Sequence, residues 1–483
     1  MLARNDNQQL FLYRQVIDLV RQMQQQGTLR AGDKLPSLRN MASRLQVSVP
    51  TIKQAYQELE RQGFIQAREK SGYFLRASSQ SQNKLKKPRL NSKPTQVSRQ
   101  QLIEQVYQGI HQPGNLALGI SNPTAALSTQ KAITRALRRA SNNDTLSPFS
   151  YGPSYGCLPL RQHIAQHYFS QGLQANPEDI IVTNGAQEAI SLALRAIAKP
   201  GDVIAVESPC YFGILETIES LGMLALELPL CAEDGLLPDD VRKAISRHKV
   251  KAVMISTSIS NPLGSWLTEE RKRAMVSLLE DAGIPLIEDD AYGDLYFGPV
   301  RGKAAQYYSQ KGLVISCSSF SKTAAPSLRI GWLLAPGFTA SLQRLKRAYS
   351  QSSSMLSQAT LIEYLRGGEY ERYLRQLRQV LQTNKERMIS LLQRELGEQV
   401  RISDPKGGCV LWLEFPKAMD TNLLFQQLLA EQISVTPGVL FSATDRYRHC
   451  LRLSFGLTWD AGIETGLQTF STLARNTLDS LSC

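Results

Sequence analysis

The chain lacks three things that would each have set its class. It has no apolar run near the ~18 residues needed to span a bilayer. Its opening residues, "MLARNDNQQLFLYRQVIDLV", hold no apolar signal core followed by small residues. A cytoplasmic protein with no membrane role is therefore expected. Nor is there a Cys-x-x-Cys pair. Seven cysteines are scattered through 483 residues, which argues for reduced thiols rather than a disulfide framework. Histidine is scarce, at five residues, and the one pair at i,i+4 spacing, His163 and His167, has no carboxylate on the same helical face. No metal site is expected.

Acid is scarce at one end only. Residues 1–100 hold 18 Lys/Arg by count against 6 Asp/Glu, a net +12 of the chain's +13. The remaining 383 residues are near neutral. A basic end on a neutral body points to a polyanion as the partner of that end.

The basic end has a helical period. In "YRQVIDLVRQM", Val16, Leu19, Val20 and Met23 form one stripe. Ser37 reads as an N-cap, with Leu38, Met41, Ala42 and Leu45 behind it at i, i+3, i+4, i+7. After a short break Ser48 caps a second helix, with Pro50 in its first turn and Ile52, Ala55, Tyr56 and Leu59 as its apolar face. Two short amphipathic helices joined by a tight turn predict a helix-turn-helix. The outward face of its second helix is Val49, Pro50, Lys53, Gln54 and Gln57, placed to meet a major groove. "FIQAREKSGYFL" predicts a hairpin turning at Lys70-Ser71-Gly72, with Arg68 and Lys70 near its tip. That is a wing on double-stranded DNA.

The stretch "LPSLRNMASRLQVSVPTIKQAYQELERQGFIQAREKSGYF" resembles the GntR winged-helix family. The resemblance places Arg39, Ser48, Thr51, Lys53 and Gly72 at DNA-contacting positions. Val49 stands where that family usually has Arg. The domain is expected over residues 1–76. Residues 77–110, rich in Ser, Gln and Lys, are expected to be a basic flexible linker. Such a linker reaches on the order of 30 Å, and its Lys84, Lys86, Lys87 and Arg89 are free to meet phosphates.

From about residue 111 the pattern changes. "DIIVTNGAQEAISLALRAIA" is an apolar strand, a Gly turn and a long amphipathic helix, and "DVIAVESP", "KAVMIST", "PLIEDD" and "GLVISCSS" are further apolar strands with helical segments between. Unbroken apolar strands alternating with helices predict an α/β fold, its sheet mostly parallel and covered on both faces. Ligands bind such sheets at the carboxyl ends of the strands. There stand Gly185, Ala186 and Gln187, opening a helix; then Tyr211; then Asn261; then Asp289 and Tyr292; then Ser319, Ser321, Lys322 and Arg329. Each alone is commonplace. Together they describe one ligand. The helix N-terminus, two hydroxyls and Arg329 suit a phosphate. Tyr211 covers a flat ring, Asp289 fixes a pyridinium nitrogen, and Asn261 and Tyr292 meet a phenolate oxygen. Lys322 bonds an aldehyde. The ligand so described is pyridoxal 5′-phosphate.

The same stretch resembles the fold-type I aminotransferases over residues 115–475, with a small C-terminal α/β part after about 340. "YGPSYGCLPLR" is similar to a motif whose Tyr, here Tyr151, reaches the cofactor phosphate of the neighbouring subunit. That implies a homodimer. "CLRLSF" is similar to the segment carrying the substrate-carboxylate arginine, here Arg452. A winged helix joined to such a domain resembles the MocR subgroup of GntR regulators. That resemblance implies a transcription regulator whose cofactor domain senses an amino acid, an amine or the cofactor itself. Two other readings use the same residues. One is a working aminotransferase with an appended DNA-binding domain. The other is a cofactor-binding DNA protein without catalysis. Every cofactor residue is present, so half-transamination is chemically open to the regulator as a residual activity too.

Overall fold

The computed structural model describes residues 6–25, 29, 33–61, 64–68, 72–75, 85, 87, 93–94, 99–123, 129–143 and 146–482. They fall into two compact units, Met1–Gln82 and Asn83–Cys483.

In the first unit the expected stripes become helices: α1 Asp6–Gln25, α2 Leu38–Leu45 and α3 Val49–Arg61. Ser37 caps α2 by accepting from the Asn40 N–H, and Ser48 caps α3 by accepting from the Thr51 N–H. The turn between them closes on Gln46, which is left-handed at φ 52°. Val16 and Val20 of α1, Met41 of α2 and Ile52, Ala55, Tyr56 and Leu59 of α3 are buried together. Each large apolar side chain so buried is worth about 1.5–3 kcal/mol. Next comes the hairpin, β1 Ile65–Arg68 and β2 Gly72–Leu75, antiparallel, with Arg68 opposite Gly72. The strand-like stretch before α2 extends it, since the Leu35 N–H donates to the Tyr73 carbonyl at 2.8 Å. Of the expected DNA-facing residues, Lys70 lies outside the described residues, as do Lys84, Lys86 and Arg89 of the linker.

The linker expectation needs correction at its far end. Helix α4, Gln100–His111, takes up the end of the stretch read as linker, and its Ile103, Val106 and Gly109 are buried. The physical reason is an apolar stripe: Leu102, Ile103, Val106 and Ile110 recur at helical spacing. Lys87 is not free either. Its Nζ pairs with Asp240 at 2.5 Å.

The second unit is built on a seven-stranded sheet. Its strands are β3 Ile180–Thr183, β4 Val203–Ser208, β5 Leu224–Pro229, β6 Val250–Ile255, β7 Leu286–Asp289, β8 Val314–Ser319 and β9 Gly331–Leu334. Their order across the sheet is β3-β9-β8-β7-β6-β4-β5. Strand β9 runs antiparallel to both its neighbours, with Gly331 opposite both Thr183 and Ser319. The carboxyl ends of the other six strands therefore share one edge, as the alternation predicts. Helices α5 Ala186–Ile197 and α6 Phe212–Ser220 start from that edge. Beyond a 28-residue helix, α7 Glu369–Leu396, lies a four-stranded sheet. It is made of β10 Arg401–Ile402, β11 Val410–Glu414, β12 Thr436–Pro437 and β13 Cys450–Ser454, in the order β10-β11-β13-β12.

Candidate functional site

Five of the six parallel strands, all but β5, hand a group to the same edge. At the end of β3 the Thr183 hydroxyl donates to the Gly185 carbonyl at 2.9 Å, and Gly185 turns the chain at φ +83° into α5. The first N–H groups of α5 are thereby left for an anion. After β4 comes Tyr211, the residue that opens α6. Its ring packs over Gly213, where a Cβ would stand 2.6 Å from the ring. After β6 comes buried Asn261, and β7 ends on Asp289, whose Oδ1 accepts from the Ala291 N–H at 3.1 Å. After β8, Ser319 accepts from the Ser321 N–H at 3.3 Å and so shapes the single turn that carries Lys322. Arg329 is held left-handed at φ 53°, and its Nη2 donates to the Asn184 carbonyl at 2.9 Å. That geometry brings the guanidinium back over Gly185, within 2.5 Å of where a Cβ there would be.

These groups line one cavity of about 390 Å³. Ala186, Gln187, Ser319, Ser321 and Arg329 form part of its wall, as do Tyr211, Asn261, Asp289, Tyr292 and Lys322. No described residue hydrogen-bonds the Lys322 ammonium; the Tyr292 ring faces it, with its centroid 5.8 Å away. Burial pushes the Lys322 amine below its ordinary range. Burial also pushes the Asp289 carboxyl up, to about 6, against the Ala291 N–H, which stabilises the carboxylate. The Ser321 Oγ is buried without a partner among the described residues. Buried polar groups are normally satisfied, so this one marks a place for an acceptor.

Three of the expected residues do not offer a free side chain to this cavity. The Gln187 side chain is committed to structure: its Nε2 donates to the Gly213 carbonyl at 2.7 Å and to Thr217 at 2.5 Å, tying α5 to α6. Only its main chain is left for an anion. Tyr151 is 89% exposed and does not line the cavity. Arg452, fully buried on β13, is not part of the lining but touches it: its Nη1 donates to Asn261 Oδ1 at 3.1 Å. Among the lining residues that sequence reasoning does not single out are Tyr107 of α4 and Ser121. The helical period of α4 is the signal for the first; nothing in the sequence points to the second.

In the first unit, Arg39, Ser48, Val49, Pro50, Lys53 and Gln54 are exposed. Gly72 opens β2 at φ +99°. Thr51 departs from them. It is only 4% exposed, and its hydroxyl shares a 2.7 Å hydrogen bond with Ser48. Its position inside the first turn of α3 makes it part of the cap rather than of the outward face.

Residues 12–75 match the bacterial regulatory proteins of the gntR family, and residues 114–468 match aminotransferase class I and II. The chain is 32% identical to the HTH-type transcriptional regulator YdcR of Escherichia coli, over 96% of this chain and 99% of that one. The chain is a GntR-type transcriptional regulator with an aminotransferase-class body, the MocR arrangement. The regulator is 28% identical to the HTH-type transcriptional regulator NorG of Staphylococcus aureus, over 92% of this chain and 99% of that one. Among solved structures, its body superposes on LysN, the alpha-aminoadipate aminotransferase of Thermus thermophilus. That match has a TM-score of 0.72 and 26% identity, over 78% of the regulator and 95% of LysN. LysN was solved with N-(5′-phosphopyridoxyl)-L-leucine. An archaeal alanine:glyoxylate aminotransferase shares the fold at a TM-score of 0.73 and 22% identity, over 78% and 95% of the two chains. The regulator therefore has the fold of a pyridoxal-phosphate aminotransferase. Among its described residues no helix is long and apolar enough to cross a membrane.

Proposed function

We propose that the regulator binds pyridoxal 5′-phosphate at Lys322 and uses that site to sense a small amino compound, altering how its N-terminal unit binds DNA in the cytoplasm. The observation that carries this reading is Lys322 itself. Its amine is depressed by burial, has no hydrogen-bond partner among the described residues, and shares a polar cavity with Asp289. The donor set fits the group. The N-terminus of α5, the orphaned Ser321 hydroxyl, Ser319 and Arg329 suit a phosphate dianion. Asp289, a carboxylate at the end of β7, suits a protonated ring nitrogen. Asn261 and Tyr292 suit a phenolate oxygen. Tyr211 offers a ring to stack on. Pyridoxal 5′-phosphate, when bound, supplies an aldehyde that takes up primary amines.

The residues divide the remaining work. Lys322, whose charged form its burial disfavours, is the amine that a covalent link requires. Arg452 presents a guanidinium beside Asn261 for a carboxylate. Arg39, Ser48, Val49, Pro50, Lys53, Gln54 and Gly72 face the DNA, and Lys70 belongs to the wing tip by its place in the sequence. Tyr151, exposed and outside its own chain's cavity, serves the site of a second copy, which makes the working form a homodimer.

The test is direct. Purified protein should absorb in the visible and carry a borohydride-reducible link at Lys322. Lys322→Ala should lose both while keeping its fold by circular dichroism. A link that survives in Lys322→Ala would overturn the assignment. Since the chain carries both Lys322 and Arg452, turnover of amino acids with a keto acid is the second reading. Sustained multiple turnovers with no effect on DNA binding would favour it.

A further inference from the structure

Arg452 is not waiting empty-handed. Its Nη2 donates to the main-chain carbonyl of Gly119 at 2.7 Å, and the Thr436 hydroxyl donates to the same oxygen at 3.0 Å. Two residues on, the Ser121 carbonyl accepts from the Tyr292 hydroxyl at 2.6 Å. Thus one short segment, residues 116–123, places two carbonyls on two side chains that the proposed reading assigns to ligands. The segment is otherwise laid along the small sheet. The Leu116 N–H donates to the Gln432 carbonyl at 2.7 Å, and the Ser454 N–H donates to the Leu118 carbonyl at 2.7 Å. At Gly119 the fit is tight: a Cβ would stand 2.9 Å from the Val435 carbonyl carbon.

We propose that residues 116–123 are a strap occupying the effector's anchor on Arg452, and that only an amino compound bearing an acidic group can displace it. The proposal rests on the sensing role given to the cavity above. A carbonyl is a neutral acceptor on one nitrogen. A carboxylate is charged, binds the guanidinium fork with two oxygens, and makes hydrogen bonds roughly twice as strong. Arg452 Nε has no partner among the described residues, while Nη1 is kept by Asn261. A carboxylate taking Nε and Nη2 together would satisfy the orphan and evict the Gly119 carbonyl. An amine without an acid has nothing to offer that edge and leaves the strap in place.

The strap has somewhere to send its movement. It comes directly after α4, whose Tyr107 lines the same cavity. Helix α4 is pressed onto the small domain at Gly109, where a Cβ would stand 2.8 Å from Leu429. The chain before α4 leads to the winged unit. Strap release therefore acts on the covalent connection between the sensing and DNA-binding units, whichever way the units are arranged.

The experiment is hydrogen–deuterium exchange on full-length, cofactor-loaded protein, read at the Leu116 and Ser454 amides. The probes are an α-amino acid that changes the visible spectrum, out of the twenty standard ones, and the amine formed by its decarboxylation. The amino acid should speed exchange at both amides about fivefold or more, the factor for losing one modest hydrogen bond; the amine should not. Without any ligand, Gly119→Ala should show the same fast exchange, because its methyl group cannot fit against Val435. Thr436→Val, which removes one donor to the Gly119 carbonyl at little change in shape, should move exchange the same way and guards against a folding defect in the first variant. A spectral response with unchanged exchange would sink the strap alone. If the amine altered the spectrum and exchange as the amino acid does, the strap's selectivity would fall while the sensing reading stood; if neither probe altered the spectrum, both would fall.

Discussion

Gly331 lies directly against Gly185: a Cβ on Gly331 would stand 2.4 Å from the Gly185 carbonyl carbon and 2.8 Å from the Ala186 nitrogen. The start of β9 thus sets how closely the N-terminus of α5 approaches the strand edge, and with it the placement of the N–H groups proposed to hold the phosphate. Gly331→Ala must push backbone against backbone. Overpacking of this kind typically costs about 1–3 kcal/mol. Titration of apo-protein with pyridoxal 5′-phosphate should show affinity reduced tenfold or more, with DNA binding by the first unit retained. Unchanged cofactor affinity would separate α5 from the phosphate site.

Asp289 gives a pH signature. Its folded carboxyl titrates at about 6, above its ordinary 3.8, chiefly because it is buried. The folded apo-protein therefore holds a proton that the unfolded chain has released. Its contribution is intact below about pH 4, is lost as pH rises toward 6, and stays lost above. A shift of that size corresponds to on the order of 3 kcal/mol. Apo Asp289→Asn should match wild type at pH 4 and be more stable at pH 7.5 in urea unfolding. Equal stability at both pH values would mean that Asp289 is solvated rather than buried.

Much of this architecture is legible in the sequence, for a physical reason. Strands buried on both faces read as continuous apolar runs, and the residues after each run necessarily stand at the ligand edge. Asp289, Ser319, Lys322 and Arg329 can be picked out by that spacing. Thr51, put at a DNA-contacting position by the family resemblance alone, is buried against Ser48 instead; a cap and an outward face occupy neighbouring positions on one helical turn, and only burial tells them apart. Helix α4 is hidden because a polar stretch of low-complexity character precedes it. The Gly119 and Ser121 carbonyls leave no trace in the sequence. They act through main chain, and any residue type supplies a carbonyl.

On the DNA side, exposed Lys53 and Arg39 should behave unlike Thr51. Lys53→Ala or Arg39→Ala should weaken operator binding by about 1–3 kcal/mol if the side chain reads a base, or lower the salt slope by about one if it meets a phosphate. Thr51→Val should leave the salt slope alone and instead cost about 1 kcal/mol of stability through the lost bond to Ser48. A large change in salt slope from Thr51→Val would return that residue to the interface.

The proposed homodimer makes a complementation prediction. Tyr151→Ala and Lys322→Ala each disable both sites of a pure dimer if Tyr151 serves the partner's cavity. In a mixed dimer, one site has both defects and the other has none. Co-expressed variants should therefore regain about half of the wild-type cofactor absorbance per dimer, allowing for a two-site symmetric assembly. Absence of any recovery in purified mixed dimers would place Tyr151 in its own chain's site.

If an amino compound bound in the Lys322 cavity changes DNA affinity, then by linkage DNA must change the affinity for that compound by the same factor. The deciding measurement is DNA affinity with and without a spectrally active amino acid, in wild type, Lys322→Ala and Arg452→Ala. A sensing role at this cavity predicts a shift in wild type and none in either variant. A shift of equal size in both variants would contradict it.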